Sequence, residues 1–222
     1  IEGFDLGFIA SGLPYLVMEL LQGVSLIDVL NTDGHLNWRE AKPIVLQLCE
    51  VLEAAHGLGV VHKDLKPHNI FVVRKEGELV SVKLIDFGLS QIQGDPSSVF
   101  FGGTPTYMAP EQAFERPVDV RADVYAVGVV LYELLVGEVP FQGENAQQTL
   151  GMHMFKPVPP MREKNRFVEV PDGAEQAVMK ASHLSTEGKL AIANFGGQFQ
   201  EEKSGWIGVR IRKAKKLGMI VE

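Results

Sequence analysis

A chain of 222 residues, 45% hydrophobic and 22% charged, holds enough apolar material for one good core or at most two small ones. That composition excludes a disordered chain, a collagen-like repeat and a disulfide-stapled miniprotein, and Cys49, the single cysteine, rules out an intrachain disulfide and fits a reducing, cytoplasmic compartment. The net charge of −7 is uneven. Residues 203–222 carry six basic side chains against Glu222 alone, which leaves the remainder at −12. An acidic body argues against nucleic acid as the main partner. The basic tail reads as a solvated extension, with contact to an anionic membrane or an acidic partner as the alternative.

In chain order, Phe4 to Leu21 reads as two strands around a turn at Ser11-Gly12-Leu13-Pro14. A short helix is expected near Ser25–Leu30. From Trp38 to about Gly57, Ile44, Val45, Leu48, Leu52 and Ala55 recur at helical spacing, with Pro43 expected in the first turn, where proline is tolerated. Ile70–Val73 and Val80–Ile85 read as strands joined by a polar hairpin, Arg74–Glu78. Asp86 to Glu111 has no usable periodicity, and a segment that long without structure is usually functional. Asp123–Val136 is apolar almost all round, so a buried helix is expected. The apolar run Val124–Gly137 is broken by Glu133 and is too short to span a bilayer. Further helices are expected at Asn145–Met154 and Ala174–Ala181, with Lys156–Pro160 as extended linker. The expected class is α+β, mainly α: a strand pair followed by a helical body.

Three motifs carry the chemistry. They are His62-Lys63-Asp64-Leu65-Lys66-Pro67-His68-Asn69, then Asp86-Phe87-Gly88 after a strand, then Gly103-Thr104-Pro105-Thr106-Tyr107-Met108-Ala109-Pro110-Glu111. One tripeptide would be weak, but in this order and spacing the three resemble the C-terminal lobe of the protein kinases, in a texture that looks bacterial. Lys66 and Thr104 match the serine/threonine branch. The resemblance implies a kinase-like fold, ATP and Mg²⁺ as cofactors, and a protein substrate offering a Ser or Thr hydroxyl.

It also implies roles. Asp64 would accept or orient the proton of the incoming hydroxyl, and Lys66 would hold the transferring phosphate. Thr104 would contact both and form part of the peptide platform. Asn69 and Asp86 offer the hard oxygen donors that suit Mg²⁺. Met18 would be the gatekeeper, with the backbone of Glu19 and Leu21 hydrogen-bonding adenine; an ordinary core strand is the alternative reading there. Ser25 would touch ribose. Phe71 would lie beneath adenine or serve as a plain core residue. Asp123 would anchor the catalytic loop by accepting its amides, with His62 and Phe87 stacked above it. Cys49 is expected in the core, as are Met152 and Met154, unless the two methionines face a docking surface.

The chain departs from the family in three places. Lys63 stands where an Arg is usual and cannot make that residue's bidentate fork, so weaker dependence on phosphorylation of Ser97, Ser98 or Thr104 is expected. The buried partner of Glu111 falls on Lys189 in place of an Arg. The chain begins in what resembles the fourth strand of the upper lobe, without a Gly-rich loop or ATP-clamping Lys. Ile1 stands where Met would open a chain, so a fragment or processed product, inactive alone, is expected. The expected division is 1–21 as remnant of the upper lobe, 22–202 as the helical lobe and 203–222 as a basic tail. A non-catalytic kinase-like scaffold and a small-molecule phosphotransferase are the rival readings.

Overall fold

The computed structural model describes residues 3–86, 91–92, 104–113 and 118–183. The chain opens with an antiparallel hairpin, β1 (Gly3–Phe8) and β2 (Pro14–Met18), pairing Phe8 with Pro14 and Leu6 with Leu16. Its side chains are exposed along nearly the whole length, including Phe8 at 75% and Leu16 at 55%. The alternative of an ordinary core strand at Tyr15–Met18 is therefore wrong. The alternation that would bury one face of a hairpin meets no packing partner among the described residues.

A second sheet runs in the order β3 (Val24–Ser25), β5 (Ile70–Lys75), β6 (Glu78–Leu84). The turn joining β5 and β6 is tighter than the expected five-residue hairpin. Only Glu76 and Gly77 lie outside the strands, and both have positive φ (54° and 85°), which suits a two-residue connection between right-twisted strands. The sheet docks on α2 (Trp38–Gly57) through the Gln47 side chain, whose Oε1 accepts the Val82 amide at 2.8 Å.

Helix α2 starts where its sequence says it should. Asn37 Oδ1 accepts the amides of Arg39 and Glu40, and Glu40 Oε2 accepts the Asn37 amide, a reciprocal cap. This early start places Pro43 at the sixth helical position, in the second turn and not the first as expected; its ring removes the amide that would bond Arg39. Ile44, Val45, Leu48 and Leu52 are buried against α4 (Val120–Val136).

Helix α4 is the axis of the core. Asp119 caps it, and Gly137 ends it in the left-handed conformation, its amide bonding the Glu133 carbonyl. Every residue from Ala122 to Val136 except Glu133 is buried. Each Leu or Val so placed contributes about 1.5–3 kcal/mol by leaving water. Gly128 lets α7 (Asp172–His183) approach closely: a Cβ there would stand 2.7 Å from the Ala181 Cβ.

The aperiodic stretch holds short structure in its described parts. Strand β7 (Gln91–Ile92) pairs with β4 (Val60–Val61), Pro105–Tyr107 forms a single 3-10 turn, and Pro110–Ala113 forms α3. Helix α5 (Ala146–Phe155) packs beside that turn, and α6 (Met161–Lys164), which periodicity did not suggest, follows the extended linker. Helix α1 (Leu26–Asp33) completes the described elements. None of these helices is long and apolar enough to cross a membrane.

Candidate active site

The irregular segment between β4 and the 3-10 turn Pro67–Asn69 carries Asp64, and Asp123 shapes that segment from below. Asp123 is fully buried in the first turn of α4, and its carboxylate accepts the amides of His62 at 2.9 Å and Lys63 at 2.8 Å. His56 of α2 completes its shell through Nε2 at 2.7 Å. A buried carboxylate is tolerated only with such donors. The bend they impose holds Lys63 at φ 69°, a left-handed conformation that a side chain disfavours, immediately before Asp64. Burial pushes the Lys63 ammonium below its usual range, and the Asp123 charge opposes that shift.

Three side chains interlock at the mouth of this segment. Lys66 Nζ lies 2.6 Å from Asp64 Oδ2 and 2.9 Å from Thr104 Oγ1. Asn69 Nδ2 donates to the Asp64 carbonyl at 3.0 Å. Asp64 is 7% exposed, so its carboxylate is largely screened from bulk water while remaining bonded from both flanks.

Asn69 and Asp86 are brought together by the backbone, since the Ile85 amide donates to the Asn69 carbonyl at 2.9 Å. Asp86 follows with φ 61°, again left-handed. Because Asn69 uses its Nδ2 on the Asp64 carbonyl, its side-chain oxygen is left as an acceptor; the Asp86 carboxylate is on an exposed residue. Two hard oxygen donors with room for water and phosphate ligands fit Mg²⁺, which rarely takes an all-protein cage. No cluster of three or more His, Cys, Asp or Glu suited to a metal occurs among the described residues, so a protein-only site of that kind is absent there.

The remaining candidates sit to one side of this centre. Ser25 and Phe71 are opposite one another in β3 and β5, and Phe71 is opposite Lys83 in β6, so the three share one face of the sheet. Lys83 Nζ reaches the Glu19 carboxylate at 3.1 Å, which ties this face to the segment after β2. Phe71 is half-buried, Met18 is exposed at 42%, and Glu19 and Leu21 are half-buried. The Ser25 hydroxyl is engaged locally: it caps α1, bonding both the amide and the carboxylate of Asp28. Phe87, Ser97, Ser98, Lys189 and the basic tail lie outside the described residues.

Several supporting residues escaped the sequence reading. Gln112 Nε2 donates to the Lys63 carbonyl at 3.0 Å while its Oε1 accepts the Ala109 amide, so α3 braces the segment that carries Asp64. The Tyr107 hydroxyl donates to Glu133 Oε2 at 2.7 Å, fastening the 3-10 turn to the one half-exposed position of α4 beyond its first two residues. Burial pushes both the Tyr107 and the Glu133 pKa upward. His56 answers Asp123 from 67 residues away. Only the polar residue Glu133 inside an apolar helix gave a signal in advance. Glu111 is half-buried, with its Oε2 atom buried and unpaired among the described residues, and desolvation raises its pKa against the pull of Arg121.

A family model described as the protein kinase domain matches residues 8–192. Serine/threonine-protein kinase Pkn1 of Myxococcus xanthus is 37% identical over 213 residues, covering 94% of this chain and 30% of its own. Serine/threonine-protein kinase PknB of Mycolicibacterium smegmatis is 38% identical over 187 residues, covering 82% and 29%. Serine/threonine-protein kinase pkn3 of Myxococcus xanthus is 35% identical over 188 residues, covering 82% and 34%. The chain thus spans about a third of the length of these relatives.

Proposed function

The chain belongs to the protein kinase family, and from that premise we propose that it transfers the γ-phosphoryl group of ATP to Ser or Thr hydroxyls of protein substrates. The observation that carries this reading is the interlock of Asp64, Lys66 and Thr104, with contacts of 2.6 to 3.3 Å. A scaffold that only binds partners has no use for a buried acid held between a lysine and a hydroxyl.

In the proposed reaction the substrate hydroxyl oxygen bonds to the γ-phosphorus as the bond from phosphorus to the ADP oxygen breaks. The hydroxyl proton passes to, or is oriented by, the Asp64 carboxylate, and ADP leaves. Lys66, drawn off Asp64 by the arriving phosphate, balances the equatorial oxygens. Thr104 keeps Asp64 aimed while Lys66 is away. Asn69 Oδ1 and the Asp86 carboxylate would hold Mg²⁺, which supplies charge neutralisation between the phosphates when bound. Little covalent work falls to the protein, so holding these groups in line is most of its contribution.

We assign Met18 beside the adenine pocket, the Glu19 and Leu21 backbone to adenine itself, and Phe71 beneath it. The shared sheet face and the Lys83–Glu19 contact support that grouping. Ser25 is assigned to ribose only by alignment, since its hydroxyl already caps a helix. Residues 1–21 are read as the end of an upper lobe, 22–202 as the helical lobe and 203–222 as a separate tail, in a cytoplasmic setting.

The test is phosphotransfer from labelled ATP by the full-length protein, with Asp64→Asn beside it. The expected loss is about 10²–10⁴-fold with unchanged folding. Nucleotide binding without phosphotransfer, or none at all, would leave the scaffold reading in its place.

A further inference from the structure

One buried titratable group has no part in that mechanism. His153 lies on α5, 4% exposed, between α4 and the Pro105–Tyr107 turn. Its Nδ1 is 2.6 Å from the Tyr125 hydroxyl of α4. Phe141 packs edge-on against its ring, at 5.0 Å between centroids and 73° between planes. Desolvation lowers its pKa to about 4, so the imidazole is neutral near pH 7. Burial raises the Tyr125 pKa, so the phenol keeps its proton and can donate to the neutral ring or accept from it. The tautomer with Tyr125 donating to Nδ1 and the ring proton on Nε2 is the one that offers a donor to the Thr106 backbone.

That Nε2 is buried and has no partner at full hydrogen-bond geometry among the described residues. The backbone of Thr106 is the polar group that favours its proton. A buried donor left unpaired is a standing cost, and it is removed if a small movement brings an acceptor within range. Thr106 lies two residues from Thr104, whose amide and hydroxyl both bond Asp64. The turn is otherwise held at one end by Thr104 and at the other by Tyr107 on Glu133. His153 addresses its middle.

We propose that His153 is a positioning residue for the acceptor peptide: it props the Thr104–Tyr107 platform from beneath, and its Nε2–H closes onto the Thr106 carbonyl when a peptide settles on that platform. The proposal rests on the kinase reading above for the identity of the ligand. It makes α5 a determinant of peptide affinity although no α5 side chain need touch the peptide.

His153→Phe keeps the ring and its burial while removing both hydrogen bonds; His153→Asn restores a donor and an acceptor. Tyr125→Phe is the second probe, in case the first variant folds poorly. In full-length protein with a generic Ser/Thr peptide, His153→Phe is expected to raise the peptide KM about tenfold. The ATP KM and kcat are expected to stay within about twofold, and His153→Asn to recover part of the loss. Equal shifts in both KM values, or none, overturn the proposal. Amide exchange at Tyr107 and Met108, whose amides close the turn onto Thr104 and Pro105, needs no catalysis. It is expected to quicken at least threefold in His153→Phe and Tyr125→Phe, with the β5–β6 amides unchanged. Unchanged exchange at the turn also overturns it. A wild-type protein without phosphotransfer sinks the kinase reading alone, and the exchange result still decides whether His153 props the turn.

Discussion

Thr104 bonds Asp64 twice: its amide reaches Oδ1 at 3.0 Å and its hydroxyl reaches the same oxygen at 3.3 Å. The two residues are 40 apart in sequence, so this contact welds the Thr104–Tyr107 segment to the one that carries Asp64. The amide bond survives any substitution except proline; the hydroxyl bond, and its link to Lys66, do not. Thr104→Val is expected to lower kcat about 10- to 100-fold, the worth of a hydrogen bond to a charged group. Thr104→Ser is expected to retain most activity. Steady-state kinetics on the pair checks this, and an active Thr104→Val would show that the hydroxyl is dispensable.

Asp123 is expected to matter first for folding. Asp123→Ala strands the buried amides of His62 and Lys63, at about 1–3 kcal/mol for each orphaned donor. Urea denaturation should report a loss of about 2–6 kcal/mol. A loss below 1 kcal/mol would mean that the Asp64 segment finds its shape without this anchor.

Below neutrality, His153 is expected to erode stability. Its pKa is about 4 in the fold against 6.5 when free, so the contribution is complete above pH 6.5 and is lost as pH falls toward 4. Glu111 and Glu133, whose pKa values burial raises, carry the opposite slope, because they keep protons in the fold that the unfolded chain sheds. Comparison with His153→Phe isolates the histidine. Between pH 7.5 and 5 the wild type should lose about 2 kcal/mol relative to that variant. A difference that stays flat across the window would contradict the buried neutral ring.

Cys49 is expected to be inert while the protein is folded. It sits 5% exposed on α2, and burial, with Glu53 and Glu50 beside it, pushes the thiol up to about 12. Iodoacetamide at pH 8 should leave the native mass unchanged over hours and add one label in urea. Rapid native labelling would mean that α2 opens locally.

The cluster around Asp64 was legible as a candidate site because its residues are neighbours in sequence. Asp64, Lys66 and Asn69 lie within one short motif, and Asp123 stands at the head of a helix whose apolar run announces it. The β5–β6 hairpin was legible for the same local reason, with Glu76-Gly77 between strand-forming runs. What stayed hidden depends on partners far along the chain. Gln112 and His56 look like ordinary polar residues until the fold carries them to Lys63 and Asp123. The turn at Pro105–Tyr107 and helix α3 lack the length for periodicity to register. Pro43 was misplaced because a reciprocal cap at Asn37 and Glu40 starts α2 before the proline, and the helix tolerates one missing bond. Ser25 shows the converse: a hydroxyl assigned to a ligand by alignment is drawn into capping a helix by its own neighbour Asp28.

The Asp123 anchor also sets an order of synthesis. The His62 amide waits for a carboxylate 61 residues further along the chain. At about 5–20 residues per second, the ribosome takes roughly 3–12 s to deliver it. For the later part of that interval, once residue 84 has been made, α2 and the β5–β6 hairpin are both present in the chain while Asp64 hangs on an unfinished bend. A nascent chain stalled before residue 123 would therefore lack the helix that is the axis of the core and, with it, the anchor that shapes the Asp64 segment.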